Sequence, residues 1–301
     1  MKHVRCPLCR ADNTELKFPA TEFEQVVGTN VQFRCTSPTL AQHGLIVRCL
    51  ECGMIYASPQ LEVGDLIHAY REVQDPEYLQ QRRSREILFT GLLSEVQRFI
   101  EPPGRLLDIG CYTGIFLETA AEAGWNVEGI EPSDWASGIA RQAGPWVVQN
   151  CSLQDADLVS GTYDVISMWD VIEHLPLPCE ALDRCAQALR PGGILALSTH
   201  FLDSLVARLM GTRYPFLMDM HPVHFTRRTM RLALANAGFE VLSVNWHWRT
   251  VMLDYLLERL SLVIPFSSPV FRLLLRLPTV RDRSVTVGGV GLFNVFARRR
   301  G

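Results

Sequence analysis

The sequence predicts an α/β fold in which a largely parallel sheet is wrapped by helices on both faces. Two observations predict it. From about residue 104 onward, short apolar runs alternate with amphipathic segments, which is the pattern of repeated strand and helix units. Two of these runs end in an acid, Asp108 and Glu131, and the first is followed by Gly110 and Gly114. Because such strand ends meet at one edge of a doubly wound sheet, we expect a ligand site there.

The composition indicates a globular chain with one large domain and a small accessory module. Its 301 residues are 48% hydrophobic and 20% charged, which is enough apolar material for a sizeable core. The net charge of −3 and the pI of about 6.2 exclude a global positive field that recruits nucleic acid. No signal peptide is evident, and no apolar run reaches the roughly 18 residues of a spanning helix. The nine cysteines favour metal ligands and thiols over disulfides, so we expect a cytoplasmic protein.

Residues 1–60 predict a zinc-ribbon module. The candidate ligands form two C-x2-C pairs: Cys6, Cys9, Cys49 and Cys52. Each pair sits in a tight turn that aims two thiolates at one ion, and hairpin strands are predicted on both sides of the second pair. A closed four-sulfur site has no open coordination position, so we expect a structural zinc that replaces a core too small to form. Cys35 is the substitute ligand to consider, although a buried free thiol is favoured.

The connecting segment, residues 61–103, predicts amphipathic helices. Charged and apolar residues alternate at helical spacing over 63–70 and 75–100. The run Pro102-Pro103-Gly104 then ends the helical pattern ahead of the first core strand.

The core, residues 104–301, alternates strands with helices. Strands are predicted at 105–109, 126–130, 146–149, 163–168, 193–198, 240–244 and 291–297. Helices are predicted up to Gly124, up to Ala143, over 179–189 and over 226–237. Between the last two strands, an apolar stretch at about 247–285 predicts a helical insertion.

A series of ordered motifs carries a family resemblance over roughly residues 70–245. They are Gly104–Leu117, Trp125–Ser133, Tyr163–Leu175, and Leu189–Leu195 followed by Ala237–Val241. In this order they resemble class I S-adenosylmethionine-dependent methyltransferases. The resemblance implies a Rossmann-like, seven-stranded doubly wound sheet, S-adenosylmethionine as the cofactor and methyl transfer as the activity.

The resemblance also implies which residues hold the cofactor: Asp108, Gly110, Cys111, Tyr112, Gly114, Glu131, Pro132, Ser152, Leu153, Trp169 and Asp170. The glycines let backbone approach the methionine part, and the carboxylate of Glu131 offers two oxygens to two adjacent ribose hydroxyls. The segment 152–155 lies where the family often holds adenine. Tyr112 replaces a glycine of the commonest family motif, so it either narrows the cradle or turns outward. Tyr70 and Tyr78 fall where family members cover the cofactor, with helix packing as the simpler explanation for each.

A general base for an acceptor hydroxyl is expected just past the fourth core strand. His174 lies there with a pKa suited to accepting a proton near neutrality. The alternative is a histidine that satisfies local backbone groups. Asp170, at the strand end, is the second candidate catalytic residue. Asp170-x-x-Glu173-His174 also resembles the acid-x-x-Glu-His metal motif of ubiquinone-biosynthesis O-methyltransferases, with Asp in place of their first Glu, which leaves a divalent-cation site as an unfavoured alternative.

Tyr214, His221 and His224 are the candidate residues of the acceptor pocket, because the insert after the fifth strand forms much of that pocket in the family. His200 belongs to the same group of histidines. The His-x-x-His spacing also occurs in metal sites, but a pocket or packing role is favoured over a second metal.

The insertion at 247–285 has a broad apolar face interrupted by charged residues. Neither half can span a bilayer, but each could lie in its surface. Packing on the core or a homodimer interface is slightly favoured over membrane contact.

The sequence therefore predicts O-methylation of a small-molecule, sugar or lipid-linked acceptor. Two rivals stay open. One is an RNA methyltransferase guided by its zinc ribbon, which the few basic residues between the cysteine pairs weaken. The other is a non-catalytic cofactor-binding scaffold. No residue set distinguishes oxygen, nitrogen and carbon nucleophiles.

Overall fold

The structure is a computed structural model that describes residues 2–21, 33–36, 41–253, 257, 284–288 and 291–301. Within these ranges the strands are β1 (Thr14–Phe18), β2 (Ile46–Cys49), β3 (Ile55–Ala57), β4 (Arg105–Ile109), β5 (Asn126–Ile130), β6 (Val147–Gln149), β7 (Tyr163–Trp169), β8 (Leu189–His200), β9 (Val223–His224), β10 (Phe239–Trp246), β11 (Arg249–Met252), β12 (Ser284–Val287) and β13 (Leu292–Arg299). The helices are α1 (Val63–Arg71), α2 (Pro76–Gln80), α3 (Arg82–Gln97), α4 (Ile115–Glu122), α5 (Asp134–Ala143), α6 (Pro178–Ala188), α7 (Leu205–Met210) and α8 (Arg227–Asn236), with short 3-10 turns at Ile172–His174 and Gly211–Arg213.

The central sheet has seven strands in the order β10-β13-β8-β7-β4-β5-β6. Strands β4 to β8 run parallel, while β13 lies antiparallel between β10 and β8. The predicted seven-stranded, doubly wound α/β sheet is confirmed. The antiparallel direction of β13 has a simple cause, because this strand follows the insertion rather than a crossover helix, and no βαβ unit fixes its direction.

Helices cover both faces of the central sheet, because its inner strands are apolar on both sides. On β4, Leu106 packs into one core cluster and Leu107 into the other, and both are fully buried. The same alternation separates Val165 from Ile166 on β7. This period of two is the side-chain direction that a strand imposes. The carboxyl ends of β4, β5 and β7 therefore lie side by side at one edge of a rigid core.

A second sheet has the strand order β1-β2-β3-β9. Its β2–β3 hairpin brackets the second cysteine pair, in agreement with the zinc-ribbon prediction. Its fourth strand, β9, comes from the core segment of the chain, and Ile55 on β3 pairs with His224 on β9. The N-terminal module is thus joined to the core by a continuous ladder. The domain boundaries at 60 and 103 stay a prediction.

The helical pattern predicted over 75–100 forms two helices rather than one. Helix α2 ends at Gln80 and α3 begins at Arg82, and Pro76 occupies the first turn of α2, where a missing N–H has no cost. The apolar periodicity continues across Gln81, so the pattern alone gives no sign of the break.

Most of the predicted helical insertion, 254–256 and 258–283, lies outside the described residues. Its two ends form a ladder instead of helix: β11 and β12 pair antiparallel, with Val251 opposite Val285. β-branched residues in both segments favour strands. The surface, dimer and membrane roles of the insertion stay predictions. Among the described residues, no helix combines the length and apolarity that crossing a bilayer demands.

Candidate functional site

The glycine turn after β4 contains two residues in the left-handed region. Gly110 has φ +72°, and Gly114, the N-cap of α4, has φ +83°. A Cβ at Gly110 would lie 2.6 Å from Cγ2 of Val171, and one at Gly114 would lie 3.1 Å from Cα of Ala140. Both positions therefore need glycine for backbone conformation and for space. The turn brings bare backbone to the carboxyl edge of the sheet.

Glu131 follows β5 and faces this turn. Its side chain is buried. One carboxylate oxygen accepts the backbone N–H of Tyr112 at 3.0 Å, and the other accepts the N–H of Ser133 at 2.8 Å. A carboxylate has about four lone-pair directions, so each oxygen keeps one for a further donor. Glu131 is thus fixed by backbone and still able to accept two adjacent hydroxyl groups.

Asp108 lies near the end of β4, on the strand next to β5. It is buried and accepts a 2.7 Å hydrogen bond from the hydroxyl of Ser167. Burial raises the pKa of Asp108 to about 8, against the lowering effect of Ser167 and with a further rise from the charge of Glu131. Burial also raises the pKa of Glu131 to about 7, against its two backbone donors. Two acids with raised pKa values favour a cationic ligand, because a positive charge stabilises their ionised forms.

These raised pKa values predict that the stability of the unliganded protein falls as pH rises. An acid whose folded pKa is raised stabilises the fold below its unfolded pKa of about 4 and loses that contribution as pH rises through its folded pKa. For Asp108 and Glu131 the loss is complete only above pKa values of about 8 and about 7. We expect the melting temperature to fall between about pH 4 and 8, and Asp108→Asn to flatten that fall. A series of thermal melts at constant ionic strength measures both, and an equally steep fall in the variant would contradict the assignment.

Two predicted cofactor residues lie in the turn itself. Cys111 is buried, and its backbone N–H donates to the carbonyl of Ile130 at 3.2 Å. Tyr112 has φ +50°, which explains why glycine suits this position. Its ring packs against Tyr78 with centroids 4.5 Å apart, and against Trp135. This contact supports helix packing as the role of Tyr78.

Four further predicted cofactor residues follow the neighbouring strands. Pro132 is half-buried after β5, and Ser152 and Leu153 are buried after β6. Trp169 ends β7, and its buried indole N–H has no hydrogen-bond partner among the described residues. An unpaired buried donor costs free energy until an acceptor arrives. All four residues lie at the carboxyl edge, and their cofactor contacts stay a prediction.

Asp170 occupies a strained position directly after β7. Its φ is +56°, in the left-handed region that non-glycine residues rarely adopt. Ser198 on β8 holds it there: the Ser198 hydroxyl accepts the backbone N–H of Asp170 at 2.8 Å and donates to its carboxylate at 2.6 Å. Strain held by specific hydrogen bonds is typical of functional sites. The carboxylate is fixed at the sheet edge, and its catalytic role stays a prediction.

His174 lies in the 3-10 turn that follows and is half-buried. Its Nδ1 lies 2.7 Å from the hydroxyl of Tyr70 and 3.0 Å from the carbonyl of Met220. Because a carbonyl only accepts, we assign the proton to Nδ1 and the lone pair to Nε2. Burial, and then the neighbouring His221, lower the pKa of His174 well below its usual value. The imidazole is therefore neutral at pH 7, with a lone pair available to a proton or a metal ion.

A cluster that we call the Glu173 cluster consists of Glu173, His174 and His221. One ligand atom from each lies within 4.8 Å of the others. Glu173 is buried, and one of its carboxylate oxygens has no hydrogen-bond partner among the described residues. His221 donates Nδ1–H to the carbonyl of Phe216 at 2.8 Å, which leaves its Nε2 lone pair available. Two imidazoles and a carboxylate are a donor set for zinc and related divalent cations, so these residues fit such an ion.

His200 and His224 extend the Glu173 cluster into the core. Both are fully buried, and Nε2 of His200 lies 3.0 Å from Nδ1 of His224. Their outer nitrogens have no hydrogen-bond partner among the described residues. Tyr214 is also fully buried, with its ring centroid 6.1 Å from that of His200. The predicted pocket residues Tyr214, His221 and His224 therefore belong to one buried cluster together with His200. Their contact with an acceptor stays a prediction.

The four predicted zinc ligands meet in one cluster in the N-terminal module. Sγ of Cys6 lies 3.5 Å from Sγ of Cys52, and Sγ of Cys9 lies 3.5 Å from Sγ of Cys49. All four sulfurs lie within 4.8 Å of one another. This composition and spacing fit a closed tetrahedral zinc site. Cys35 is not a member of this cluster.

Comparison with known proteins assigns the family. The sequence profile described as a methyltransferase domain matches residues 79–244, which is more than half of the chain. The chain belongs to this methyltransferase family. The matched range includes the glycine turn, Glu131 and the Glu173 cluster. The prediction of a class I S-adenosylmethionine-dependent methyltransferase is confirmed at the level of the family.

Similar sequences carry a more specific name. The methyltransferase is 32% identical over 127 residues to the ubiquinone biosynthesis O-methyltransferase of Shewanella pealeana, which covers 40% of this chain and 53% of that protein. It is 39% identical over 101 residues to the enzyme of the same name from Aromatoleum aromaticum, which covers 32% of this chain and 43% of that protein. The match thus spans about half the length of these relatives.

Solved structures agree on the fold. A chain in the complex between the Haloferax volcanii Trm112 methyltransferase activator and a methyltransferase superposes with a TM-score of 0.52. The sequence identity is 13%, over 76% of this methyltransferase and 100% of that chain. An identity this low shows the shared fold alone.

The sequence alone did not identify three serines that hold the acidic side chains of the site in place. Ser133 fixes Glu131, Ser167 binds Asp108, and Ser198 holds Asp170. Two of them gave a usable signal, because Ser167 and Ser198 are small polar residues inside otherwise apolar strands, where serine is uncommon. Ser133 gave another, since serine is a preferred N-cap and α5 begins at the next residue.

Proposed function

We propose that this methyltransferase transfers a methyl group from S-adenosylmethionine to a hydroxyl oxygen of its acceptor. The acceptor is a small molecule, a sugar or a lipid-linked intermediate. One observation carries the proposal. The spare lone pairs of Glu131 and the spare lone pair of His174 occur after β5 and β7, the two strands that flank β4 in one parallel sheet. The first suits the ribose of an adenosyl cofactor, and the second suits an acceptor hydroxyl. The name of the relatives, ubiquinone biosynthesis O-methyltransferase, supports oxygen as the acceptor atom.

S-adenosylmethionine supplies a methyl group on a positively charged sulfur, which makes the carbon electrophilic. The chain has to hold the nucleophile and the cofactor in line. Glu131 would accept the ribose hydroxyls, the backbone of 110–114 would hold the methionine part, and Ser152 and Leu153 would hold the adenine. The cationic cofactor also favours the ionised form of Asp108.

His174 removes the proton from the acceptor hydroxyl. Its Nδ1–H is held by the carbonyl of Met220 and the oxygen of Tyr70. These two contacts fix the ring orientation and leave the lone pair of Nε2 available to the acceptor. The lowered pKa keeps the imidazole neutral, so the base is in its working form at pH 7.

A divalent cation held by the Glu173 cluster is the second candidate for activating the hydroxyl. The unpaired carboxylate oxygen of Glu173 favours it, because a buried carboxylate without a full set of partners is costly. A bound cation lowers the pKa of a hydroxyl that contacts it. In this case His174 is a ligand rather than the base.

Replacing His174 with glutamine is expected to lower turnover by about 10²- to 10⁴-fold. The affinity for S-adenosylhomocysteine should change little, because Glu131 and the glycine turn are untouched. Turnover is measured by labelled methyl transfer, and metal content by elemental analysis of the wild type and the variant. If His174 is the base, the variant keeps the metal content of the wild type. If His174 is a metal ligand, the variant loses metal together with activity.

The matched control is His68→Gln, because His68 is exposed on α1 and lies outside the Glu173 cluster. Unchanged turnover in His174→Gln would contradict both roles. A similar loss in the control would show that the assay reports general destabilisation.

The reaction itself is tested by labelled methyl transfer into a metabolite extract, followed by mass spectrometry of the product. Methylated metabolites support the proposal. Label in RNA, together with a gel shift at moderate salt, would instead support the ribbon-guided RNA methyltransferase. Calorimetric binding of S-adenosylmethionine without any transfer would support the non-catalytic scaffold.

We also propose that Cys6, Cys9, Cys49 and Cys52 hold a structural zinc. The closed four-sulfur arrangement leaves no coordination position for a substrate. Without a cation, burial raises the pKa of Cys6 to about 11 and also raises the pKa of Cys52, so these two thiols are disfavoured as thiolates until an ion binds.

A further inference from the structure

A groove between the N-terminal module and the core is lined by positive charge. Its volume is about 390 Å³. Lys17 and Arg48 line it from the N-terminal module, and Arg208 and Arg228 line it from α7 and α8. All four side chains are exposed. We call this feature the basic groove. Its size is that of a small-molecule site rather than of an extended polymer surface.

The charge of the basic groove is poorly compensated by the protein. Lys17, Arg208 and Arg228 form no ion pair within the described part of the chain, and Arg48 pairs with Glu15 at 3.2 Å. Asp203, the carboxylate in the lining, is already engaged by Arg227 at 3.5 Å. Four cations around one groove repel one another until an anion binds. This concentration is local, because the whole chain carries a net charge of −3.

The start of α8 adds to the same field. Thr226, the N-cap of α8, and Arg228 in its first turn both line the basic groove. The N-terminal end of a helix carries partial positive charge. Two of the first N–H groups of α8 already have partners, because that of Arg227 donates to Asp203 and that of Thr229 donates to the hydroxyl of Thr226. The helix is ten residues long, so this field is well developed.

The basic groove lies close along the chain to the buried histidines, with the buried side chains of Phe201 and Phe225 between them. Two segments run side by side from His200 and His224 toward it, with the N–H of Leu202 donating to the carbonyl of Phe225 at 2.9 Å. Leu202 and Thr226 then line the groove. These two lining residues therefore each lie two positions along the chain from His200 and His224, which extend the Glu173 cluster.

We propose that the basic groove binds the phosphoryl group of a phosphate-bearing small molecule. Arginine forks and a helix start match the several acceptor oxygens of a phosphoryl group better than the two oxygens of a carboxylate. The groove joins two modules, so the zinc-bearing module contributes half of its cations. We assign this molecule as the methyl acceptor, an assignment that rests on the proposed function.

The test is calorimetric binding of inorganic pyrophosphate to the full zinc-loaded chain. We expect binding that weakens as salt is raised, and a loss of about tenfold for each of Arg208→Gln and Arg228→Gln. Matched controls are Arg213→Gln and Arg231→Gln, which remove exposed arginines from the turn after α7 and from α8 that do not line the groove. The controls should bind pyrophosphate like the wild type.

Further ligands distinguish a phosphoryl site from a general anion site and from an RNA site. Citrate, a carboxylate probe, should bind at least about tenfold more weakly than pyrophosphate. No pyrophosphate binding, equal loss in the control variants, citrate binding as tight as pyrophosphate, or retention of a short RNA in preference to pyrophosphate would each overturn the proposal. S-adenosylhomocysteine binding to the same samples keeps the two hypotheses apart, because its absence contradicts the proposed function whatever pyrophosphate does, and its presence in Arg228→Gln shows that the variant is folded.

Discussion

Replacing Glu131 with glutamine is expected to weaken binding of S-adenosylmethionine by about 100-fold. The carboxylate accepts the N–H groups of Tyr112 and Ser133, and its remaining lone pairs are the proposed acceptors for two ribose hydroxyls. A glutamine amide has one oxygen, so its NH₂ group must face either a backbone N–H or a hydroxyl donor. Losing two charge-assisted hydrogen bonds at about 1.5 kcal/mol each corresponds to a factor of this size.

The measurement is calorimetric titration with S-adenosylhomocysteine, with thermal melting to follow stability. The matched control is Glu128→Gln on the same strand, because the carboxylate of Glu128 binds Arg105 and Tyr163 rather than the glycine turn. The control should keep cofactor affinity even if its melting temperature falls. Wild-type affinity in Glu131→Gln would remove the main support for the cofactor site.

The features that the sequence predicted well depend on local order along the chain. Glu131 was identified because it ends the second strand, and parallel neighbours place that end beside the glycine turn after β4. The glycines were identified because glycine lets backbone approach a ligand in a tight strand-to-helix turn, and the structure adds that both have positive φ. The seven strands were identified because buried parallel strands are apolar throughout. Each of these signals lies within a few residues of the feature it predicts.

The features that the sequence did not predict depend on contacts between distant segments. Glu173 and His174 were considered as one motif and His221 as part of another, and only the fold places their ligand atoms together. The strand pattern of the N-terminal module predicted its hairpin but not its fourth strand, because β9 has two residues and too little length for a periodicity signal. The break at Gln81 was missed because no glycine or proline marks it.

The role of β9 leads to a prediction about the zinc. Strand β3 follows the second cysteine pair and ladders onto β9, where Ile55 pairs with His224 and Tyr56 pairs with Val223. His224 in turn contacts His200 beside the Glu173 cluster. The zinc site therefore supports the wall of the proposed acceptor pocket, whereas Glu131 and the glycine turn belong to the central sheet.

Substituting Cys9 with serine is expected to remove the zinc and to lower methyl transfer by more than about tenfold. A structural zinc site of this kind carries much of the folding free energy of its module, so β3 should no longer hold β9 and the buried histidines in place. Cofactor affinity should stay within about threefold, because the core cluster on the other face of the central sheet, around Leu106 and Val165, contains no residue of the zinc module. Zinc is quantified by elemental analysis, cofactor affinity by calorimetry and turnover by labelled transfer. Cys35→Ser is the control and should retain zinc, since Cys35 lies outside the cluster. If Cys9→Ser lost zinc but transferred methyl at the wild-type rate, the coupling through β9 would be wrong. If it also lost cofactor binding, the zinc would support the whole fold rather than the acceptor side alone.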